Sequence, residues 1–133
     1  MATLVSNKVI RNNIHDSICK IMQQKQLLGI VFTDISVSLS DAKAINLNNQ
    51  PRFISDLTVL ADKAIALAKL IAKQRREIAI LSAMIDDSLE MSTEDYLQTF
   101  QKYTSDIMTN EILLEQIHEK YNNVTNTMNS MNM

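Results

Sequence analysis

The segment from Pro51 to Ser88 constrains this chain more than any other. Within it Phe53, Leu57, Leu60, Ala64, Leu67, Ile71, Gln74, Ile78, Leu81 and Ile85 follow one another in alternating steps of four and three. That is the heptad spacing that keeps one side of a helix against partner helices. Ala61, Ala68, Ala72 and Ala79 lie beside the seam. Their small side chains widen the apolar face and allow close approach, so this helix is expected to touch more than one neighbour.

The rest of the chain has little freedom to be anything but helical. It holds one Gly and one Pro in 133 residues, and tight turns and bulges depend on those two residue types, so a few long helices are favoured over a β-rich fold. At 46% hydrophobic and 21% charged residues the composition is that of one folded domain able to bury a core, not of a disordered chain.

Before this segment a second seam runs through Ile14, Ile18, Ile21, Lys25, Leu28, Phe32, Ile35, Leu39 and Ala42. The alternation passes Gly29 without losing phase, which a turn there would have no reason to preserve. A single helix from about 5 to 46 is therefore expected, with Gly29 tolerated inside it at about 1 kcal/mol relative to Ala. Two competing readings are a hairpin break at Gly29 and a half-buried strand over Ile35, Val37 and Leu39. The strand reading lacks a second strand to pair with.

Asn46-Leu-Asn-Asn-Gln-Pro51 reads as a boundary, because asparagines suit caps and turns and Pro51 is preorganised for a first helical turn. A second boundary falls at Asp86–Ser92, where two aspartates oppose a helix C-terminus while Glu94 and Asp95 favour a new N-terminus. Ser92 and Asp95 have the spacing of an N-cap and its third helical position.

The third seam is Tyr96, Phe100, Tyr103, Ile107, Asn110, Leu114, Ile117, Tyr121, Val124 and Met128. It carries all three tyrosines, so a bulky helix faces an alanine-rich one, as complementary packing requires. Beyond Tyr121 the sequence NNVTNTMNSMNM has weak helix propensity and is expected to fray as a flexible Asn/Met-rich tail over 126–133, its Met131 and Met133 free to meet a partner. The expected fold is thus all-α, an elongated antiparallel three-helix bundle with coiled-coil-like packing. Its helices span about 5–46, 51–88 and 92–125 of a single domain over 1–125.

Folding the chain up, down and up brings its polar interruptions to one level. Lys25 precedes the Asn48–Asn49 turn by about as much as Gln74 follows it, and Asn110 falls within about a turn of that level. A polar layer of Lys25, Gln74 and Asn110 would fix register at some cost in stability. The plainer alternative leaves each at a seam edge, with Lys25 snorkelling outward.

Candidates for chemistry are few. His15 and Cys19 share a helix face at i, i+4, but a zinc site needs three or four ligands, and His118 should lie far along the rod. As a nucleophilic pair they lack an orienting group, an oxyanion hole and a concave pocket. One Gly rules out a glycine-rich phosphate loop. Neither a cofactor, nor a metal, nor catalytic residues are expected, and the chain reads as a non-enzyme.

Lys69, Lys73 and Arg76, at i, i+4 and i+7, form a basic stripe suited to an acidic partner, or else a plain solvated face. Without interleaved aromatics they are a poor nucleic-acid signature, and a net charge of −2 gives no global pull toward nucleic acid or anionic membrane. Asp86, Asp87, Glu90, Glu94 and Asp95 make the opposite pole acidic. Met84, Met108 and Met128 are expected as core filler. Asn123-Val-Thr125 matches the glycosylation sequon, which means nothing without an export signal.

The segment MATLVSNKVIRNNIHDS contains no signal-peptide core, and the single Cys19 points to no oxidising compartment. The expected location is cytoplasmic, or secreted without a cleavable signal peptide. The expected role is a protein–protein interaction module presenting helix faces to protein partners, as a subunit, scaffold or chaperone of a larger assembly, with homo-oligomerisation possible. The competing reading is a secreted or membrane-active protein that opens its bundle to lay AIALAKLIAK on lipid.

Overall fold

A computed structural model describes residues 3–44, 50–86 and 90–131. The order of elements is β1 (Leu4–Val5), α1 (Asn7–Ala44), α2 (Gln50–Asp86), β2 (Met91–Ser92) and α3 (Thr93–Met131). Each helix packs against both others. The molecule is an all-α antiparallel three-helix bundle, and at 37 to 39 residues each helix is about 55–60 Å long.

Two serine caps start helices. Ser6 Oγ accepts the Val9 N–H at 3.3 Å, and Ser92 Oγ accepts the Asp95 N–H at 3.1 Å with Glu94 and Asp95 in the first turn of α3. Each cap satisfies an N–H that the helix itself leaves without a partner, and the two carboxylates favour the positive end of the dipole. The N-terminal residues differ from the expected helix start at 5. Leu4 and Val5 are extended and pair antiparallel with Ser92 and Met91. Thr3 C=O accepts both the Thr93 N–H at 2.9 Å and the Thr93 hydroxyl at 3.1 Å. This clasp ties the start of α1 to the start of α3.

Parallel neighbours keep a constant residue offset, and α1 and α3 do so along their length. Asn13 donates to the Tyr96 hydroxyl, Gln24 to the Ile107 carbonyl, and Ser38 meets the Tyr121 hydroxyl, all at a separation of 83 residues. The contact between α1 and α2 is the most extensive of the three. α1 passes through Gly29 unbroken, and a Cβ there would meet nothing within 4 Å.

The core is one long apolar cluster plus a smaller one at the pole where α1 ends, made of Ala42, Phe53, Leu57 and Met128. Tyr96, Phe100 and Tyr103 meet in sequence along α3, the first pair tilted at 46° and the second edge-to-face at 86°, with ring centroids 4.9 and 5.3 Å apart. The smaller cluster corrects the expectation of a flexible tail from 126. α3 runs on to Met131, because burying Met128 against Phe53 and Leu57 outweighs the weak helix propensity of the asparagines. Residues 132 and 133 lie outside the described residues, as do the Asn46–Asn49 turn and the expected end of the second helix at Asp87 and Ser88.

Candidate interaction surface and the buried amide layer

Midway along the rod, one polar side chain from each helix turns inward. Gln24, Gln74 and Asn110 are 4%, 6% and 0% exposed. Asn110 Nδ2 donates to Gln74 Oε1 at 2.6 Å and to Gln24 Oε1 at 3.0 Å, while Gln74 Nε2 donates back to Asn110 Oδ1 at 3.2 Å. Gln24 Nε2 reaches the main-chain carbonyl of Ile107 at 2.8 Å. Among the described residues no buried side-chain nitrogen or oxygen is left without a partner. A satisfied network of this kind specifies one arrangement of the helices, since slipping any helix would orphan several amides.

The α1 member is Gln24, not Lys25. The inward face of α1 is Ile10, Ile14, Ile21, Gln24, Leu28, Val31, Ile35 and Ala42. It shares Ile14, Ile21, Leu28, Ile35 and Ala42 with the face read from sequence. Ile18 and Leu39 of that face are partly buried against the core, and Gln24 and Val31 take the places expected for Lys25 and Phe32. Lys25 is exposed, as the costlier desolvation of an amine side chain favours when a neutral amide beside it can fill the interior site.

On the surface, Lys25 borders an apolar groove of about 420 Å³ between α1 and α2. Gly29 and Phe32 line it from α1, and Ile65, Ala68 and Ala72 from α2, with Lys69 on its other margin. Phe32 and Ile65 are 36% and 41% exposed, so both margins of the trough keep an apolar side chain in water. Lys69, Lys73 and Arg76 are all exposed along α2, so the basic stripe continues one edge of this groove for about 10 Å. Ala68, Ala72 and Ala79 face outward, and of the alanines beside the seam Ala61 packs against the core.

The remaining candidates do not assemble into a site. Cys19 Sγ lies 3.6 Å from His15 Nε2 on an exposed face, His118 is exposed elsewhere, and no cluster of metal-ligating side chains occurs among the described residues. Met84 and Met108 are 47% and 58% exposed, not core filler, whereas Met128 is buried. Glu90, Glu94 and Asp95 are exposed at the acidic pole; the side chain of Asp86 and all of Asp87 lie outside the described residues, as does the side chain of Met131.

One group of ion pairs lies on the exposed surface between α2 and α3. Lys102 Nζ bridges Glu77 at 2.7 Å and Asp106 at 3.4 Å. The hydrogen bond from Lys102 holds the Glu77 carboxyl below its usual range, and the same bond raises Lys102. Burial pushes the Tyr103 hydroxyl up. Among the described residues no helix is long and apolar enough to cross a membrane. Comparison of the chain with protein-family models, with curated proteins and with solved structures finds no match in any of the three.

Proposed function

We propose that this chain is a non-enzymatic interaction module that receives an amphipathic partner helix in the α1–α2 groove, as a subunit, scaffold or chaperone of a larger assembly. The observation that carries this reading is the contrast between a core whose polar groups are satisfied and a neighbouring trough that leaves Phe32 and Ile65 in water. A helix laid in such a trough inserts apolar side chains at i, i+3/i+4 and i+7. The stripe of Lys69, Lys73 and Arg76 selects a partner whose margin is acidic, and governs its rate of approach more than its final affinity.

The test is site-specific photo-crosslinking from position 65 in cells that make the protein. A discrete adduct is expected, abolished when Ala68→Trp fills the trough and weakened by Lys69→Glu/Lys73→Glu. An adduct that survives Ala68→Trp would remove the groove from the proposal. Binding and leakage of anionic vesicles, with no protein adduct, would replace it with the membrane-active reading.

A further inference from the structure

The opposite face of α2 carries a separate feature. Lys63 on α2 and Lys120 on α3 converge over the α2–α3 groove and line two adjoining cavities there, of about 330 and 260 Å³. The larger is floored by the buried Leu67 and Ile117 and walled by Leu70 and Leu113. Its lining spans Lys63 to Leu70 on α2, about 10 Å along the axis, and its volume is at the small end for ligand pockets.

The two lysines lack what other charges on this face have. Lys102 meets two carboxylates, at 2.7 and 3.4 Å. Neither Lys63 nor Lys120 has a carboxylate within ion-pair distance among the described residues. The nearest acid on the cavity lining, Asp56, is turned to Arg52 at 3.9 Å. The close approach of the Lys120 side chain, with the repulsion between the two ammonium groups, holds Lys63 below its ordinary pKa. An anion placed between them would relieve that repulsion and gain two charge-assisted hydrogen bonds.

We infer that this groove binds a small anionic amphiphile, a hydrocarbon chain of medium length ending in a carboxylate. Its head lies between Lys63 and Lys120 and its chain lies over Leu67 and Ile117. The site is distinct from the α1–α2 trough, so the two stand or fall separately.

Calorimetric titration of the whole protein with decanoate below its micellar concentration tests this. Saturable binding of one molecule per chain is expected, weakened at least about tenfold by Lys63→Gln or Lys120→Gln and weakened by added salt. Decanol should bind far more weakly than decanoate. In the ¹³C spectrum the Lys63 ε-carbon should titrate at higher pH once decanoate is bound. Both glutamine substitutions are at exposed side chains, and circular dichroism checks that the fold is kept. Unsaturable heats, equal binding by decanol, or unaltered affinity in both variants would overturn the assignment. So would tight binding of an acidic amphipathic peptide with none of decanoate, which would make this face a protein-docking surface.

Discussion

Asn110 has no exposed surface and holds both glutamines of the central layer. Replacing it by alanine would strand Gln24 Oε1 and both ends of the Gln74 amide. Unsatisfied buried groups cost about 1–3 kcal/mol each, and partial re-pairing of the glutamines lowers the sum. Asn110→Ala is therefore expected to cost about 2–4 kcal/mol by urea denaturation. Lys25→Gln, one residue from the true layer position, should change stability by less than about 0.5 kcal/mol. Equal costs at the two positions would mean that the layer is misassigned. Gln74 and Asn110 could be read from sequence because each interrupts an otherwise apolar seam at an unambiguous phase. Gln24 could not be, because in α1 both Val31 and Phe32, and both Ser17 and Ile18, supply something at the contested positions. The bulkier Ile18, Phe32 and Leu39 favour the phase that brings Lys25 inward. What decides against it is the desolvation of an ammonium, a cost that counting apolar residues does not register.

At the scale of the element, α1 keeps a glycine where nothing in the molecule demands one. A Cβ at Gly29 would meet no atom within 4 Å, so Gly29→Ala should stabilise the free protein by about 1 kcal/mol through backbone entropy alone, seen as a higher urea midpoint with an unchanged slope. Gly29 also lines the α1–α2 trough, where a missing side chain lets another backbone approach. Gly29→Leu should then remain folded while losing the crosslinked partner.

Between α2 and α3 the Glu77–Lys102 bridge sets a pH dependence whose sign follows from the two shifts. Glu77 is depressed from 4.5, so its contribution is present above that value and is lost as pH falls through the lower folded-state value. Lys102 is raised from 10.5, so its contribution is present below that value and lost above it. Both groups are well exposed, at 37% and 58%, which limits the pair to about 0.2–1 kcal/mol. Glu77→Gln should flatten the acid limb of the stability profile by no more than this. A larger loss would show that the pair is more deeply desolvated in solution. The end of α3 illustrates the limit of local reasoning. Asparagine-rich sequence weakens a helix in isolation, but Met128 reaches a pocket made by Ala42, Phe53 and Leu57 from the other two helices, and that contact is visible only once the bundle is assembled.

At the scale of the whole molecule, the three seams satisfy one another within one chain, with α1 and α3 held in parallel register at their start by the Thr3–Val5 clasp and at mid-length by the amides. The same heptads would equally serve an intertwined dimer, because apolar seams carry little information about which chain supplies each helix. The information that discriminates is polar. The Gln24–Gln74–Asn110 layer closes only when the three residues meet at one level, and the side chains of Ser38 and Tyr121 meet at 2.8 Å farther along. The free protein is therefore expected to be a monomer about 60 Å long by light scattering and small-angle X-ray scattering. Replacing all three amides by leucine removes the polar groups together and leaves none unpaired. The variant should be as stable as the parent or more so, while its mass distribution broadens into several oligomers or registers. If the leucine variant stays a single monomer of unchanged shape, the clasp and the connections alone determine the assembly. If the parent itself is a dimer that Asn110→Ala converts to a mixture, the layer still specifies register, but between chains.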